Sequence, residues 1–137
     1  MIMGKINYIM NKSTEQAQFE FIKEKYGFMG FRIGDPMEDI YEATDIWLGE
    51  NRVMVRGLES GWCNYFTLRD GEYTKIKING VTWMIIFNKH TGYYYILDLS
   101  KINMMKAKKE INKQDGQVYY KLFYNDYTNI IIGKGKM

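Results

Sequence analysis

Two long apolar runs separated by a four-residue turn constrain the fold more than any other feature of this chain. The first run is VTWMIIFN (81–88) and the second is YYYILDL (93–99), and the loop between them ends in a glycine. Runs of aromatic and β-branched residues predict β-strands, and a short glycine-containing connection predicts a hairpin. Both runs are too apolar for a sheet edge, so they predict the centre of a sheet.

A helix is predicted near the start of the chain. Ser13 followed by Gln16 forms a capping box, in which the hydroxyl and the amide each accept a free backbone N–H. Phe19 and Ile22 lie at the spacing of one buried helix face, and Gly27 supplies the stop.

The remaining elements complete an α+β pattern: a leading helix, a central mixed β-sheet of hairpins, and a later helix. Pro36 suits a first helical position, so a helical turn is expected within the acidic connection. DIWL (45–48) and RVMVRG (52–57) predict a hairpin, and a helix is favoured over a strand within residues 65–80. Residues 100–111 predict a helix capped by Ser100, and residues 118–124 and 128–132 predict two late strands.

Length and composition bound the class of protein. A chain of 137 residues, 46% of them hydrophobic, is expected to form a single domain over 1–137, with a core of about 13–111 and C-terminal strands within 118–132. Cys63 is the single cysteine, so no internal disulfide forms and a reducing compartment is expected. The sequence has no secretory signal pattern and no apolar run of roughly 20 residues, so a cytoplasmic protein without a membrane span is predicted.

The charges are unevenly distributed. Residues 1–50 hold five basic and nine acidic residues, whereas residues 51–137 hold fourteen basic and seven acidic residues. A basic half indicates a nucleic-acid partner, and an unevenly charged solvated surface is the alternative. The segment 34–50 carries six carboxylates and no base, which fits a metal or acid/base site, an acidic docking surface or a solvated loop.

The C-terminal part combines lysines with aromatic residues. From Lys101 onward there are eight lysines and three acidic residues, and VYYKLFY (118–124) lies among them. Lysines neutralise phosphates and aromatic faces stack on bases, which is how single strands are held without sequence reading. Alternate residues of such a strand belong to a core, so about half of these aromatic side chains are expected to be buried.

The order of these elements resembles the restriction-endonuclease-like, or PD-(D/E)xK, nucleases of the small resolvase or phage type, over about residues 13–102. FEFIKEKYGF (19–28) is similar to the family's first helix, with its Glu at Glu20. ATDIWL (43–48) is similar to the strand that bears the metal-binding Asp, here Asp45, and VMVRGLES (53–60) to the strand that carries Glu-x-Lys. The run WMIIFNKHTGYYYIL (83–97) is similar to the family's late hairpin.

The resemblance implies a catalytic set of Asp45, Glu20 and Arg56, with Asp45 and Glu20 binding Mg²⁺ if the protein is active. Arg56 stands at the Lys position, where it keeps the charge but cannot act as a base. Met54 stands at the Glu position, and a thioether is a poor ligand for a hard cation. This degenerate motif leaves open whether the chain is an enzyme.

Three arrangements would restore the missing carboxylate. Glu59 would enter the site, the strand register would differ by two residues, or a carboxylate of the acidic connection would reach in, from Glu38, Asp39 or Glu42. Purely structural roles stay open as well: Asp45 capping a turn or pairing with Arg56, and Glu20 pairing with Lys23 on the helix surface.

Two functions of different classes follow. The first is a nucleic-acid-binding or nucleic-acid-processing protein, with DNA or RNA as partner, in which Arg52, Arg56, Lys75 and Lys77 lie near the Asp45 strand. The second is a non-catalytic, anti-CRISPR-like phage or mobile-element inhibitor of a host defence nuclease. In that second function the acidic segment, including Glu38, Asp39 and Glu42, would dock on a host nucleic-acid-binding protein, without a cofactor. A homodimer is expected from the resemblance alone.

Overall fold

The computed structural model describes residues 14–58, 64–88 and 91–137. Three helices and nine strands lie within these ranges. In chain order they are α1 (Thr14–Tyr26), β1 (Phe31–Ile33), α2 (Pro36–Glu42), β2 (Ile46–Leu48), β3 (Asn51–Leu58), β4 (Tyr65–Arg69), α3 (Asp70–Asn79), β5 (Trp83–Asn88), β6 (Tyr93–Asp98), β7 (Lys108–Ile111), β8 (Val118–Phe123) and β9 (Ile131–Lys136).

The strands form two sheets. A six-stranded sheet has the order β1-β2-β3-β5-β6-β9, and a three-stranded antiparallel sheet has the order β4-β8-β7. Strand β3 runs parallel to β5, and every other neighbour in the large sheet is antiparallel, so that sheet is mixed. Parallel neighbours need a crossover connection, and here β4 and α3 lie within it. The α+β class and the helix, hairpin, helix, hairpin order implied by the resemblance are confirmed.

The centre of the large sheet lies where the two apolar runs predict it. The four middle residues of β5, Met84 to Phe87, are each no more than 2% exposed, because one sheet face packs on α1 and the other on α3 and the small sheet. Burying a side chain of this size contributes about 1.5–3 kcal/mol, so this strand anchors both cores. Strand β6 is also internal, between β5 and β9.

Residues 100–111 do not form the predicted helix. The Asp98 carboxylate accepts hydrogen bonds from both the backbone N–H and the hydroxyl of Ser100, at 3.0 and 2.6 Å, so Ser100 caps no helix. Residues Met104–Lys106 form one 3₁₀ turn, and β7 then pairs with β8. Strand pairing and the burial of Ile102 in the core override the helix propensity of this segment.

Two further boundaries differ from prediction. The helix predicted within residues 65–80 occupies only Asp70–Asn79, because Tyr65–Arg69 pairs along its whole length with β8. The last strand is Ile131–Lys136 rather than 128–132, and it pairs with β6. Glycine favours this pairing, since a Cβ on Gly133 would lie 3.2 Å from Ile96 and one on Gly135 would lie 2.9 Å from the Tyr94 hydroxyl. Ser13, Glu59 and Cys63 lie outside the described residues.

Among the described residues, we find no helix that combines the length and the apolar character of a membrane span.

Candidate active site

Helix α2 sets the position of the Asp45 strand. Asp35 caps it in a capping box: its carboxylate accepts the Glu38 N–H at 2.9 Å, and the Glu38 carboxylate accepts the Asp35 N–H at 3.0 Å. The helix is followed by Ala43, a non-glycine residue in the left-handed conformation with φ of 52°. Such a conformation costs roughly 1–3 kcal/mol and persists only where the surroundings fix it. Here it turns the chain sharply into β2.

Asp45 forms three hydrogen bonds with backbone groups of neighbouring segments. Its N–H donates to the Val53 carbonyl at 3.0 Å, and its carbonyl accepts the Gly34 N–H at 2.8 Å. Its Oδ2 accepts the N–H of Val55 at 2.7 Å. Val55 is the residue between Met54 and Arg56, so the carboxylate lies against the strand that carries these two residues.

Gly34 permits this arrangement by its lack of a side chain. A Cβ at this position would lie 2.4 Å from the Thr44 carbonyl oxygen and 3.1 Å from that of Asp45. Neither contact can be relieved by rotating a side chain, because both atoms are backbone. Gly34 is therefore required for the close approach of β1 to the Asp45 segment.

A cavity of about 300 Å³ opens in front of the Asp45 carboxylate. Three carboxylates and three bases line it, together with four apolar residues. The lining residues are Asp39, Ile40, Ala43, Asp45, Met54, Val55, Arg56, Arg69, Glu72 and Lys75.

Asp39 and Asp45 form an acidic pair in this cavity. Burial raises the pKa of Asp45 from its ordinary 3.8 to about 7, and the hydrogen bond with the Asp39 carboxylate acts in the same direction. The Val55 N–H opposes this rise in pKa, while the charges of Asp39 and, more weakly, Glu15 add to it. Two ionised carboxylates cannot hydrogen-bond to each other, so this contact requires the proton that Asp45 retains up to about pH 7.

The bases of the cavity are held in different ways. Arg56 donates to the Thr67 carbonyl at 2.6 Å and forms an ion pair with Glu72 of α3. Lys75 donates to the Ile40 carbonyl at 2.7 Å, which ties α3 to α2. Arg69 is exposed, and its guanidinium has no ion-pair partner within residues 14–58, 64–88 and 91–137.

The structure brings only part of the predicted set together. Asp45, Asp39, Arg56 and Lys75 line the cavity, whereas Glu20 is exposed on α1 and does not. Lys77 is exposed as well, with its ammonium 5.7 Å from the Tyr73 ring centroid.

The other predicted residues are engaged beside the cavity. Arg52 lies 4.4 Å from the Trp47 ring centroid, donates to Thr44 Oγ1 at 3.2 Å and forms an ion pair with Glu42 at 3.5 Å. The Glu38 carboxylate accepts hydrogen bonds from the two terminal guanidinium nitrogens of Arg32, at 3.0 and 3.1 Å, and from the Trp47 indole N–H at 2.9 Å. The Arg32 hydrogen bonds lower the pKa of Glu38 from 4.5 to about 2, helped by the Asp35 N–H.

Three charged residues at or near the cavity were not predicted from the sequence. Glu72 and Arg69 belong to one motif at the start of α3, where Glu72 Oε1 accepts the Arg69 N–H at 3.0 Å. The Glu three residues after the N-cap is a capping-box signal that identifies this helix start. Glu15 is the α1 carboxylate whose charge acts on Asp45, and it precedes the buried Phe19 by four residues, on the same helix face.

No set of three or more His, Cys, Asp or Glu side chains with metal-binding geometry occurs within the described parts of the chain. The Asp39 and Asp45 pair nevertheless fits a hard divalent cation. Mg²⁺ is commonly held by one or two carboxylates, with water and substrate phosphate completing its shell. A cation would also replace the proton that Asp45 retains.

Comparison with known proteins places few constraints on the chain. No family model matches it, and no curated protein matches it. Among solved structures, it is similar to Hjc, a Holliday junction resolvase from the archaeal hyperthermophile Archaeoglobus fulgidus. That similarity has a TM-score of 0.46 and 12% sequence identity, and it covers 84% of this chain and 88% of the other. Function must therefore be inferred from this chain's own residues.

Proposed function

We propose that this protein processes nucleic acid as a metal-dependent phosphodiesterase, with Asp39 and Asp45 holding a divalent cation. The observation that carries the proposal is that these two carboxylates lie together in one cavity that three bases also line. Asp39, supplied by α2, takes over the role that Met54 cannot fill on β3.

The other residues of the cavity would bind and orient the substrate. Arg69 has no ion-pair partner within the described residues and would donate hydrogen bonds to a phosphate, for which its planar fork is suited. Lys75 adds a positive charge close to the acidic pair. Arg56 is oriented by Thr67 and Glu72, so it would stabilise developing charge without exchanging a proton.

A bound divalent cation would polarise the phosphodiester and make a water molecule a stronger nucleophile at neutral pH. The protein's part is to present two carboxylate oxygens at a fixed place, and the Val55 N–H does this for Asp45 at 2.7 Å. Asp45 must lose its proton before it can bind the cation. Activity is therefore expected to rise with pH through about 7, the pKa of Asp45.

The contacts of the acidic segment do not favour the inhibitor function. Of its three proposed contact residues, Glu38 and Glu42 already pair with Arg32 and Arg52 of their own chain. Nothing in the described residues specifically favours a basic protein partner.

The test is cleavage of labelled single-stranded, duplex and branched DNA and of RNA, with Mg²⁺, with Mn²⁺ and with a chelator. Asp45→Asn and Asp39→Asn should each reduce metal-dependent cleavage by about 100-fold or more, a size typical of removing a group that acts at the reaction centre. Glu24→Gln, an exposed α1 carboxylate outside the cavity, is the matched control.

Cleavage that persists in both Asp variants, or no cleavage of any substrate with either metal, would overturn the proposal. If cleavage is found, Glu15→Gln and Glu20→Gln then identify which α1 carboxylate contributes. The charge that acts on Asp45 favours Glu15.

A further inference from the structure

The three-stranded sheet has one buried and one outward face. Phe66, Leu68 and Leu122 are at most 1% exposed and face the core. Because side chains alternate along a strand, the intervening residues face outward. They are Tyr65, Thr67 and Arg69 of β4, which pair with Phe123, Lys121 and Tyr119 of β8, and we name these six residues the outer sheet face.

The outer sheet face carries aromatic rings next to positive charge. The ring centroids of Tyr65 and Phe123 are 5.4 Å apart, and the Lys121 ammonium lies 4.8 Å from the Tyr65 centroid. Lys108 of β7 lies opposite Lys121, and both pair with Glu110, at 3.6 and 3.3 Å. With Arg69, the surface therefore has three cations against two adjoining carboxylates, Glu110 and Asp115.

A second cavity, of about 210 Å³, lies at one end of this face. Thr67, Arg69 and Tyr119 form its floor, and the β7–β8 turn forms its wall through Asn112, Asp115 and Gln117.

The turn leaves hydrogen-bonding groups free in this second cavity. Asn112 Oδ1 and Asp115 Oδ1 each accept a backbone N–H of the turn, at 2.8 and 2.9 Å. The side-chain amide N–H groups of Asn112 and Gln117 have no acceptor within the described residues. An aromatic ring with free amide groups beside it suits a nucleobase, whose face stacks and whose edge hydrogen-bonds.

Arg69 joins this surface to the candidate active site. It lines both cavities, and its guanidinium is unpaired in the described parts of the chain. The neighbouring Thr67 carbonyl is the acceptor for Arg56. A nucleic-acid strand lying on the outer sheet face would therefore pass from the second cavity over Arg69 towards Asp39 and Asp45.

We propose that the outer sheet face binds single-stranded nucleic acid and directs it into the candidate active site. Stacking on Tyr65 and Tyr119 requires unstacked bases, which a duplex does not present. Lys121 and Arg69 would contact the phosphates. The direction of the strand rests on the proposed function, whereas the binding itself requires no metal.

The experiment is fluorescence anisotropy with a labelled 15-nucleotide oligothymidylate and with a hairpin duplex of equal length, both in chelator. Arg69→Gln, Lys121→Glu and Tyr119→Leu are each expected to weaken single-strand binding about tenfold. The matched controls are Lys136→Glu and Tyr93→Leu. These residues form the same kind of pair, with the ammonium 5.7 Å from the ring centroid, on the large sheet.

Salt dependence separates lost phosphate contacts from lost packing. On single strands each lost phosphate contact makes the negative slope of log affinity against log salt shallower by about 0.7. Arg69→Gln and Lys121→Glu should show this change, and Tyr119→Leu should not. Thermal melting checks folding, and the exposed Arg69→Gln keeps the test decisive if Tyr119→Leu fails to fold.

This inference would be overturned if Arg69→Gln and Lys121→Glu bound the single strand as tightly as the control Lys136→Glu does. It would also be overturned if wild type bound the duplex as tightly as the single strand. If the single strand binds at the outer sheet face but nothing is cleaved, the proposed function fails and the binding surface stands. If the protein cleaves its substrate but the outer-face variants bind like the controls, the proposed function stands and the binding surface fails.

Discussion

Replacing Asp45 by Asn is expected to remove a large part of the pH dependence of stability. Asn has the shape of a protonated Asp: its carbonyl oxygen can still accept the Val55 N–H, and its NH₂ group can donate to Asp39. The substitution therefore keeps the hydrogen bonds of the neutral acid and removes its titration.

The sign follows from the raised pKa. Below pH 3.8 Asp45 is protonated in both the folded and the unfolded state, so its titration changes nothing. Between pH 3.8 and about 7 the unfolded chain releases this proton while the folded protein retains it, and the free energy of unfolding falls as pH rises. Above about pH 7 the full loss is reached. A rise in pKa from 3.8 to about 7 corresponds to a loss of about 4 kcal/mol.

Urea unfolding followed by tryptophan fluorescence, at intervals from about pH 4 to about pH 8, measures this effect. Titrations elsewhere in the chain are common to both proteins, so the free energy of unfolding of Asp45→Asn minus that of wild type should grow by about 4 kcal/mol over this range. Glu24→Gln serves as control and should run parallel to wild type. Parallel curves for wild type and Asp45→Asn would refute the assignment of a raised pKa to Asp45.

The same samples test the cation. At about pH 8 a divalent ion at roughly ten times its dissociation constant should stabilise wild type by about 1.4 kcal/mol. Asp45→Asn should gain much less, because a carboxylate ligand has been lost. Equal stabilisation of the two proteins by Mg²⁺ would refute binding at the acidic pair.

Two further predictions concern the supports of the site. Gly34→Ala should destabilise the fold and reduce cleavage, because its Cβ would lie 2.4 Å from the Thr44 carbonyl oxygen. In the control Gly71→Ala the new Cβ meets nothing within 4 Å, so this variant should be neutral or stabilise α3 by up to about 1 kcal/mol. Thermal melts of both variants check this prediction, and equal melting temperatures would contradict it. Glu38→Gln should lower the free energy of unfolding at neutral pH, because the lowered pKa of Glu38 makes its carboxylate stabilise the fold above pH 4.5, and this stabilisation is lost as pH falls towards 2. The variant should therefore lose less stability than wild type over that pH range. Urea unfolding between about pH 2 and about pH 6 measures the difference, and an unchanged pH profile would count against the prediction.

Local sequence signals were sufficient where neighbouring residues decide the structure. The β5–β6 hairpin follows from two apolar runs and a short turn, and α2 follows from Pro36 at its first position. The segment 100–111 shows the opposite case. Its helix propensity is real, but β7 pairs with a strand that comes later in the chain, and no local pattern contains that partner.

The candidate site, like the fold, was predictable only where neighbouring residues determine it. Asp45 lies beside the Met54–Arg56 segment because one short hairpin fixes both, and Ile46 pairs with Val53. The contribution of Asp39 depends on the angle of α2 before Ala43, which the sequence does not specify. Glu20 was predicted from its place in a motif, and Glu15 was not considered, although helical spacing puts Glu15 near the face of Phe19.

Met54 explains why the carboxylates are arranged as they are. It is 5% exposed and belongs to the core beneath the cavity, so this position on β3 contributes packing instead of charge. A third carboxylate there would add a like charge beside Asp39 and Asp45, at a cost in stability without a cation. The chain instead places its second carboxylate on the exposed helix α2, where Asp39 reaches the cavity and stays in contact with solvent. A site built in this way can fold without metal and still offer two oxygens once the proton leaves.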